Sequence, residues 1–258
     1  ERYVVWAVPT QFSRNMAEIM RDFLKDSSIM IATKGIEINT GELIIEIMQD
    51  VLSSKFTILS GPSFAKEVAQ RYPTAVSIAS YDELEASSWQ KKLSNDYFRA
   101  YTSDDVIGVE VGGAMKNVIA VATGISDGLG LGHNARAGII TRGLAEITRL
   151  GVLMGGKKET FMGLSGMGDL VLTCTGDLSR NRTVGIQIGR GVPVNEILSG
   201  MKMVAEGIFT AKAAMSLSDR FNLELPITRE VHDVVYKGKN PMDSLLDLMK
   251  RPLKREGD

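Results

Sequence analysis

The chain has 258 residues, a net charge of -1 and 24% charged residues. That length suits one large domain or two ordinary ones; the near-zero net charge excludes an electrostatic footprint for nucleic acid or a polybasic membrane face, leaving small neutral or anionic ligands open. A single cysteine, Cys174, makes no internal disulfide, and no apolar run reaches the ~20 residues of a membrane span, so a cytoplasmic protein is expected. Near the start stands a strand-like run, YVVWAV, with no initiator methionine or signal peptide before it. Further short runs follow: SIMIAT, KFTILS, TAVSIAS and FRAYTS, alternating with the amphipathic NMAEIMRDFL and ELIIEIMQDVL. That alternation predicts βαβ units and a mainly parallel sheet over residues 1–105. Beyond the junction SDDVIGVE, at 103–110, long periodic segments such as NARAGIITRGLAEITRLGVLMG and EGIFTAKAAMSLSDRF predict an all-helical unit over 106–258. With no flexible linker between them, the two units should pack together around a ligand cleft.

Chemistry-bearing residues appear along this frame. Lys34 follows the apolar run MIAT, placing it at the carboxyl edge of a strand where α/β sheets bind ligands; a solvated turn lysine fits the same letters. In LSGPSFAKEVA, Ser63 has the position of a helix N-cap, with Lys66 and Glu67 in the first turn, so free N–H groups there could hold an anion; an ordinary capped turn explains it equally. Lys116, in GGAMKNVIAVATG, has no carboxylate three or four residues away. A buried ammonium needs a tertiary partner, an escape to solvent or a lowered pKa. Asp169, in the otherwise uncharged GLSGMGDLVLTCT, is the proposed partner, and Thr173 shares its face if the segment is helical; the competing reading makes Asp169 an N-cap.

In TGDLSRNRTVG, Ser179 can cap a helix that begins Arg180, Asn181, which would gather N–H groups and a guanidinium at one point suited to phosphate. Glu206 starts another helix and reads equally as a first-turn acid. His133 and His232 have no metal-ligand spacing, and GLGLG at 128–132 is no dinucleotide fingerprint because no strand precedes it.

Taken in order, ATKGIE, LSGPSFAKEVA, GVEVGGAMKNVIAVATGISDGLGLG, NARAGIITRGLAEITRLG, GLSGMGDLVLTCTGDLSRNRTVG and MVAEGIFTAK resemble the bacterial type of NAD(P)-dependent glycerol-3-phosphate dehydrogenase. The resemblance implies a Rossmann-like cofactor domain, here without its N-terminal glycine-rich fingerprint, followed by an all-α substrate domain. It further implies interconversion of dihydroxyacetone phosphate and sn-glycerol 3-phosphate with NAD or NADP, supplying glycerol phosphate for phospholipid synthesis. By this resemblance Lys116 is the general acid/base, assisted by Asp169 and by Lys34, which meets both substrate and cofactor. Gly61, Ser63, Asn117, Thr173, Ser179, Arg180 and Asn181 fall at substrate contacts. Ala65, Arg180, Val204 and Glu206 fall at cofactor contacts.

The small phosphorylated three-carbon substrate needs no metal, and the apolar helical half makes a homodimer plausible. Two alternatives stand beside this reading: another phosphosugar or β-hydroxyacid dehydrogenase, and a non-catalytic binding or dimerisation module. Without the fingerprint, strands at 29–32 and 56–60 should lack sheet neighbours and leave an open edge. An upstream extension of about 60 to 90 residues carrying a GxGxxG-like turn is expected to supply them.

Overall fold

The computed structural model describes residues 2–201, 204–253 and 255. Met203, in the last of the motifs above, lies outside the described residues. The first half runs β1 (Tyr3–Trp6), α1 (Thr10–Ile19), α2 (Arg21–Leu24), β2 (Ser28–Ile31), α3 (Ile44–Val51), β3 (Lys55–Ser60), α4 (Ala65–Ala69), β4 (Thr74–Ala79), α5 (Glu83–Leu93) and β5 (Phe98–Ser103). The strands form one five-stranded sheet in the order β1-β2-β3-β4-β5. Three of its pairings are parallel, while β3 and β4 run antiparallel with Leu59 opposite Ile78. All four residues of β2 are buried, as a strand covered on both faces requires.

The expected open edges at 29–32 and 56–60 are not found. β2 lies between β1 and β3, and β3 between β2 and β4, because β1 and the antiparallel β4 take the flanking places. The sheet's edges are β1, where Tyr3 and Val5 are exposed, and β5.

Helices make up the second half: α6 (Val106–Gly128), α7 (Gly132–Leu153), a 3₁₀ turn at Lys158–Met162, a π turn at Leu164–Gly168, then α8 (Asp169–Thr175), α9 (Arg180–Gly189), α10 (Val194–Gly200), α11 (Glu206–Arg220), α12 (Pro226–Lys237) and α13 (Pro241–Met249). α6 is the axis of this half. Asp105 caps it by accepting from Gly108 N at 2.9 Å, and its apolar residues Met115, Val118 and Ile119 are fully buried, each contributing about 1.5 to 3 kcal/mol. At 23 residues α6 corrects the expectation that no stretch is long and apolar enough to cross a bilayer. It passes that test by length and composition, yet it is packed in the protein core and carries Glu110 and Lys116, both buried in tertiary contacts.

The seam between α6 and α9 is built from small residues. A Cβ on Gly124 would lie 2.2 Å from Arg182 O, and one on Gly185 would lie 2.2 Å from Val121 O. Only glycine permits this approach, and it brings the first turn of α9 alongside the middle of α6.

Candidate active site

Lys116 projects from the buried middle of α6 into a short polar cluster. Its Nζ donates to Asp169 Oδ1 at 2.6 Å and to Thr173 Oγ1 at 2.9 Å. Both acceptors stand one turn apart on α8, where Thr173 Oγ1 also donates to Asp169 O at 2.6 Å. The ammonium therefore has the tertiary partner that its own helix withholds. Escape to solvent is excluded by its 7% exposure, and the N-cap of α8 is Gly168, so Asp169 is free to use its carboxylate in pairing.

The second carboxylate oxygen faces the sheet. Asp169 Oδ2 accepts from Gly61 N at 3.3 Å and lies 3.8 Å from Lys34 Nζ. Lys34 follows the end of β2 and Gly61 follows β3, so the carboxyl edges of two parallel strands meet α8 at one group. Gly61 has φ of +125° and its missing Cβ would touch Val76 Cα at 3.0 Å, which explains glycine at this turn. Burial lowers the Lys34 pKa below the usual lysine value; Asp169 opposes this and the neighbouring Lys116 charge reinforces it.

Asn117, next along α6, joins a separate chain of amides. Asn181 Nδ2 donates to Asn117 Oδ1 at 2.9 Å, and Gly207 N donates to Asn181 Oδ1 at 3.0 Å. The start of α9 is therefore locked between α6 and the start of α11. Ser179 is the N-cap of α9 as expected, its Oγ accepting from Arg182 N at 3.3 Å, and Arg180 is exposed at the first helical position. An exposed guanidinium beside a helix N-terminus can receive an anion from solvent.

Glu206 opens α11 and reaches the other half of the molecule. Its Oε1 accepts from Thr10 N, the first residue of α1, at 3.0 Å, while Oε2 is buried without a hydrogen-bond partner. Burial raises its pKa; the Thr10 N–H bond and the charge of Arg180 oppose the rise.

Not every expected residue joins these clusters. Ser63 does not cap a helix: α4 starts two residues later, with Phe64 as its N-cap, and Ser63 Oγ donates to Gly61 O at 3.0 Å instead, stiffening the turn. Ala65 is exposed at the start of α4, and Val204 is half-buried ahead of α11; neither side chain can hydrogen-bond.

Two participants went unnoticed in the sequence. Thr10 shows no signal there. Glu110 does, being a lone charge in the apolar GVEVGG on the helix of Lys116. It is 2% exposed and accepts from Ile45 N in the first turn of α3 at 3.0 Å, with Oε2 unpartnered. Burial pushes its pKa up to about 8 against the pull of that N–H bond.

A family profile described as the NAD-dependent glycerol-3-phosphate dehydrogenase N-terminus matches residues 1–86, and its C-terminal counterpart matches residues 105–246. The chain is 52% identical over 260 residues to the NAD(P)+ glycerol-3-phosphate dehydrogenase of Syntrophotalea carbinolica, across 99% of this chain and 78% of that one. Among solved structures, glycerol-3-phosphate dehydrogenase from Coxiella burnetii superposes with a TM-score of 0.93 at 39% identity, covering 96% of this chain and 77% of that one. The enzyme from Saccharomyces cerevisiae superposes with a TM-score of 0.82 at 26% identity, covering 97% and 76%.

Proposed function

Because this chain belongs to the NAD-dependent glycerol-3-phosphate dehydrogenase family, we propose that its buried charge cluster carries the oxidoreductase chemistry of that family. The enzyme interconverts dihydroxyacetone phosphate and sn-glycerol 3-phosphate with NAD(P), in phospholipid metabolism. In this reading residues 1–105 form the cofactor half and residues 106–258 the substrate half.

One observation carries the assignment: Lys116 is held at 2.6 Å by Asp169 with Lys34 at the same carboxylate. During ketone reduction the carbonyl oxygen gains negative charge. Lys116 stabilises that oxygen and delivers its proton, then recovers one for the next turnover; in the reverse direction it removes the hydroxyl proton. Asp169 holds Lys116 in place, with Thr173 fixing the ammonium from a second side. Lys34 brings further positive charge to the sheet edge. Arg180, with the N-terminus of α9, anchors the phosphate, and Asn117 and Asn181 keep that anchor in register with Lys116. Gly61 and Ser63 shape the facing turn. Phosphate binding energy then holds the carbonyl in place for reaction.

The donor set suits a nicotinamide dinucleotide. Lys34 and Arg180 offer cations for phosphate, and Glu206 offers a carboxylate at the start of α11. Ala65 and Val204 would lie against it without polar contact. The cofactor supplies or receives the hydride.

The reading places the enzyme in the cytosol, where a lone thiol stays reduced. It also pairs two copies through the helical half, whose Val152, Leu153 and Met162 are exposed, and the mass of the particle in solution tests that pairing. For the chemistry, Lys116→Ala should lower kcat by about 10²- to 10⁴-fold while NADH still binds. A variant with near-normal kcat would remove Lys116 from the reaction.

A further inference from the structure

Asp127 stands eleven residues beyond Lys116 on α6, about 16.5 Å along the axis and only about 20° around it, so the two share one face of the helix. The reaction as described does not use it. Its side chain is 8% exposed and accepts from two guanidinium groups at once. Oδ1 accepts from Arg136 of α7, at 2.9 Å from Nε and 2.6 Å from Nη2, and Oδ2 accepts from Arg182 Nε of α9 at 2.9 Å. Arg182 also reaches Asp177, through Nη1 at 3.0 Å. Asp177 is 97% exposed, so that arm adds little, whereas the Asp127 arm is buried and costly to break.

These bonds hold the first turn of α9. Arg182 is its third helical residue, two beyond Arg180, and its own N–H is capped by Ser179. Beside that turn runs the glycine seam: Gly124 lies against Gly185 and, four residues on in both helices, Gly128 against Gly189, so α6 and α9 run parallel. Glycines let two backbones touch, but they offer no interlocking side chains to stop one helix sliding along the other. Polar ties must do that. Arg182 O lies beside Gly124, and from there Asn181 reaches back along α6 to Asn117 while Arg182 reaches forward to Asp127. The two ties oppose each other along the axis, and removing one leaves the turn to the other.

We propose that Asp127 is a positioning residue for phosphate recognition: through Arg182 it sets how far α9 sits along α6, and with it the distance from Arg180 to Lys116. This rests on the reading of Arg180 as the phosphate anchor. Arg136 holds the same carboxylate from α7, so Asp127 is a fixed post and not a free acid.

Steady-state kinetics at saturating NADH, with dihydroxyacetone phosphate and with dihydroxyacetone, test the proposal. Asp127→Asn should raise KM for the phosphate ester about tenfold, leave its kcat within about threefold and leave kcat/KM for dihydroxyacetone nearly unchanged, since a misplacement of about 1 Å can cost about 100-fold. Arg182→Lys keeps the charge without the second arm and should give the same split; it carries the test if Asp127→Asn does not fold. Combined with Arg180→Ala, Asp127→Asn should add nothing to the KM of Arg180→Ala alone, because residues acting through one contact are not additive. A phosphate-ester KM raised by Arg180→Ala but unchanged by Asp127→Asn and Arg182→Lys, equal losses for both ketones, or effects that multiply in the double variant would each overturn the proposal. If Arg180→Ala itself spares the phosphate ester, the anchor is misassigned and the proposal fails with it.

Discussion

Lys116 donates to Asp169 at 2.6 Å in a setting where the two side chains are only 8% and 2% exposed. A buried pair of this kind is costly to break on one side, because the remaining charge stays desolvated. Here the loss would be compounded by Lys34, whose ammonium shares the carboxylate.

Asp169→Asn should therefore cost roughly 3 to 5 kcal/mol of stability, and it should lower kcat by about 10²-fold or more at neutral pH. Denaturant unfolding and steady-state kinetics on the same preparation check both parts. Full activity in the asparagine variant would show that the carboxylate does not hold the reacting lysine.

Arg180→Ala separates phosphate binding from chemistry. Loss of a charge-assisted hydrogen bond worth about 1.5 to 3 kcal/mol should weaken dihydroxyacetone phosphate by about 10- to 150-fold. Unphosphorylated dihydroxyacetone should be turned over almost as before. Equal losses for the two ketones would place Arg180 away from the phosphate.

Glu110 predicts a pH dependence of stability. Its folded pKa of about 8 lies above the ordinary value of 4.5, so the folded protein binds the extra proton between those limits. Stability from this group is greatest below pH 4.5, declines as pH rises and levels off above pH 8, a change on the order of a few kcal/mol. Glu110→Gln can still accept from Ile45 N and should flatten that slope. Urea unfolding at pH 5.5, 7 and 9 compares the two proteins; parallel slopes would mean that Glu110 does not titrate in this range.

Glu206→Ala removes the acceptor for Thr10 N at the start of α1, a cap-like loss of about 0.5 to 2 kcal/mol. If its carboxylate also serves the cofactor, the Kd for NADH, read by protein fluorescence, should rise about tenfold. A lower melting temperature with unchanged NADH affinity would make Glu206 solely a tie between the two halves.

Much of the site could be read from residues standing against their surroundings. Lys116 lacked an acid within one helical turn, which forced a search for a distant partner and found Asp169; the same logic applied to Glu110 would have found a second buried charge. All five strands fall inside the apolar runs, since β-branched clusters between turns mark strands well. Strand direction and neighbours are decided by tertiary packing, so the antiparallel β4 and the interior position of β2 and β3 were not legible. Ser63 misled because a serine ahead of a helix can equally close its own turn, as its bond to Gly61 O shows. Thr10 contributes a backbone N–H, a group that every residue but proline possesses and that no sequence pattern distinguishes.

Glu110 and Lys116 are six residues apart on one unbroken helix, about 9 Å along its axis. The carboxylate that grips α3 and the ammonium that faces Asp169 are thus two teeth of one rigid key. Inserting a single residue between them would turn one against the other by about 100° and advance it by about 1.5 Å, so that when either tooth seats the other misses its slot. The spacing within α6 is therefore inherited as a fixed length, and variation in this protein should appear as exchanged letters along α6, never as added or deleted ones between these two positions.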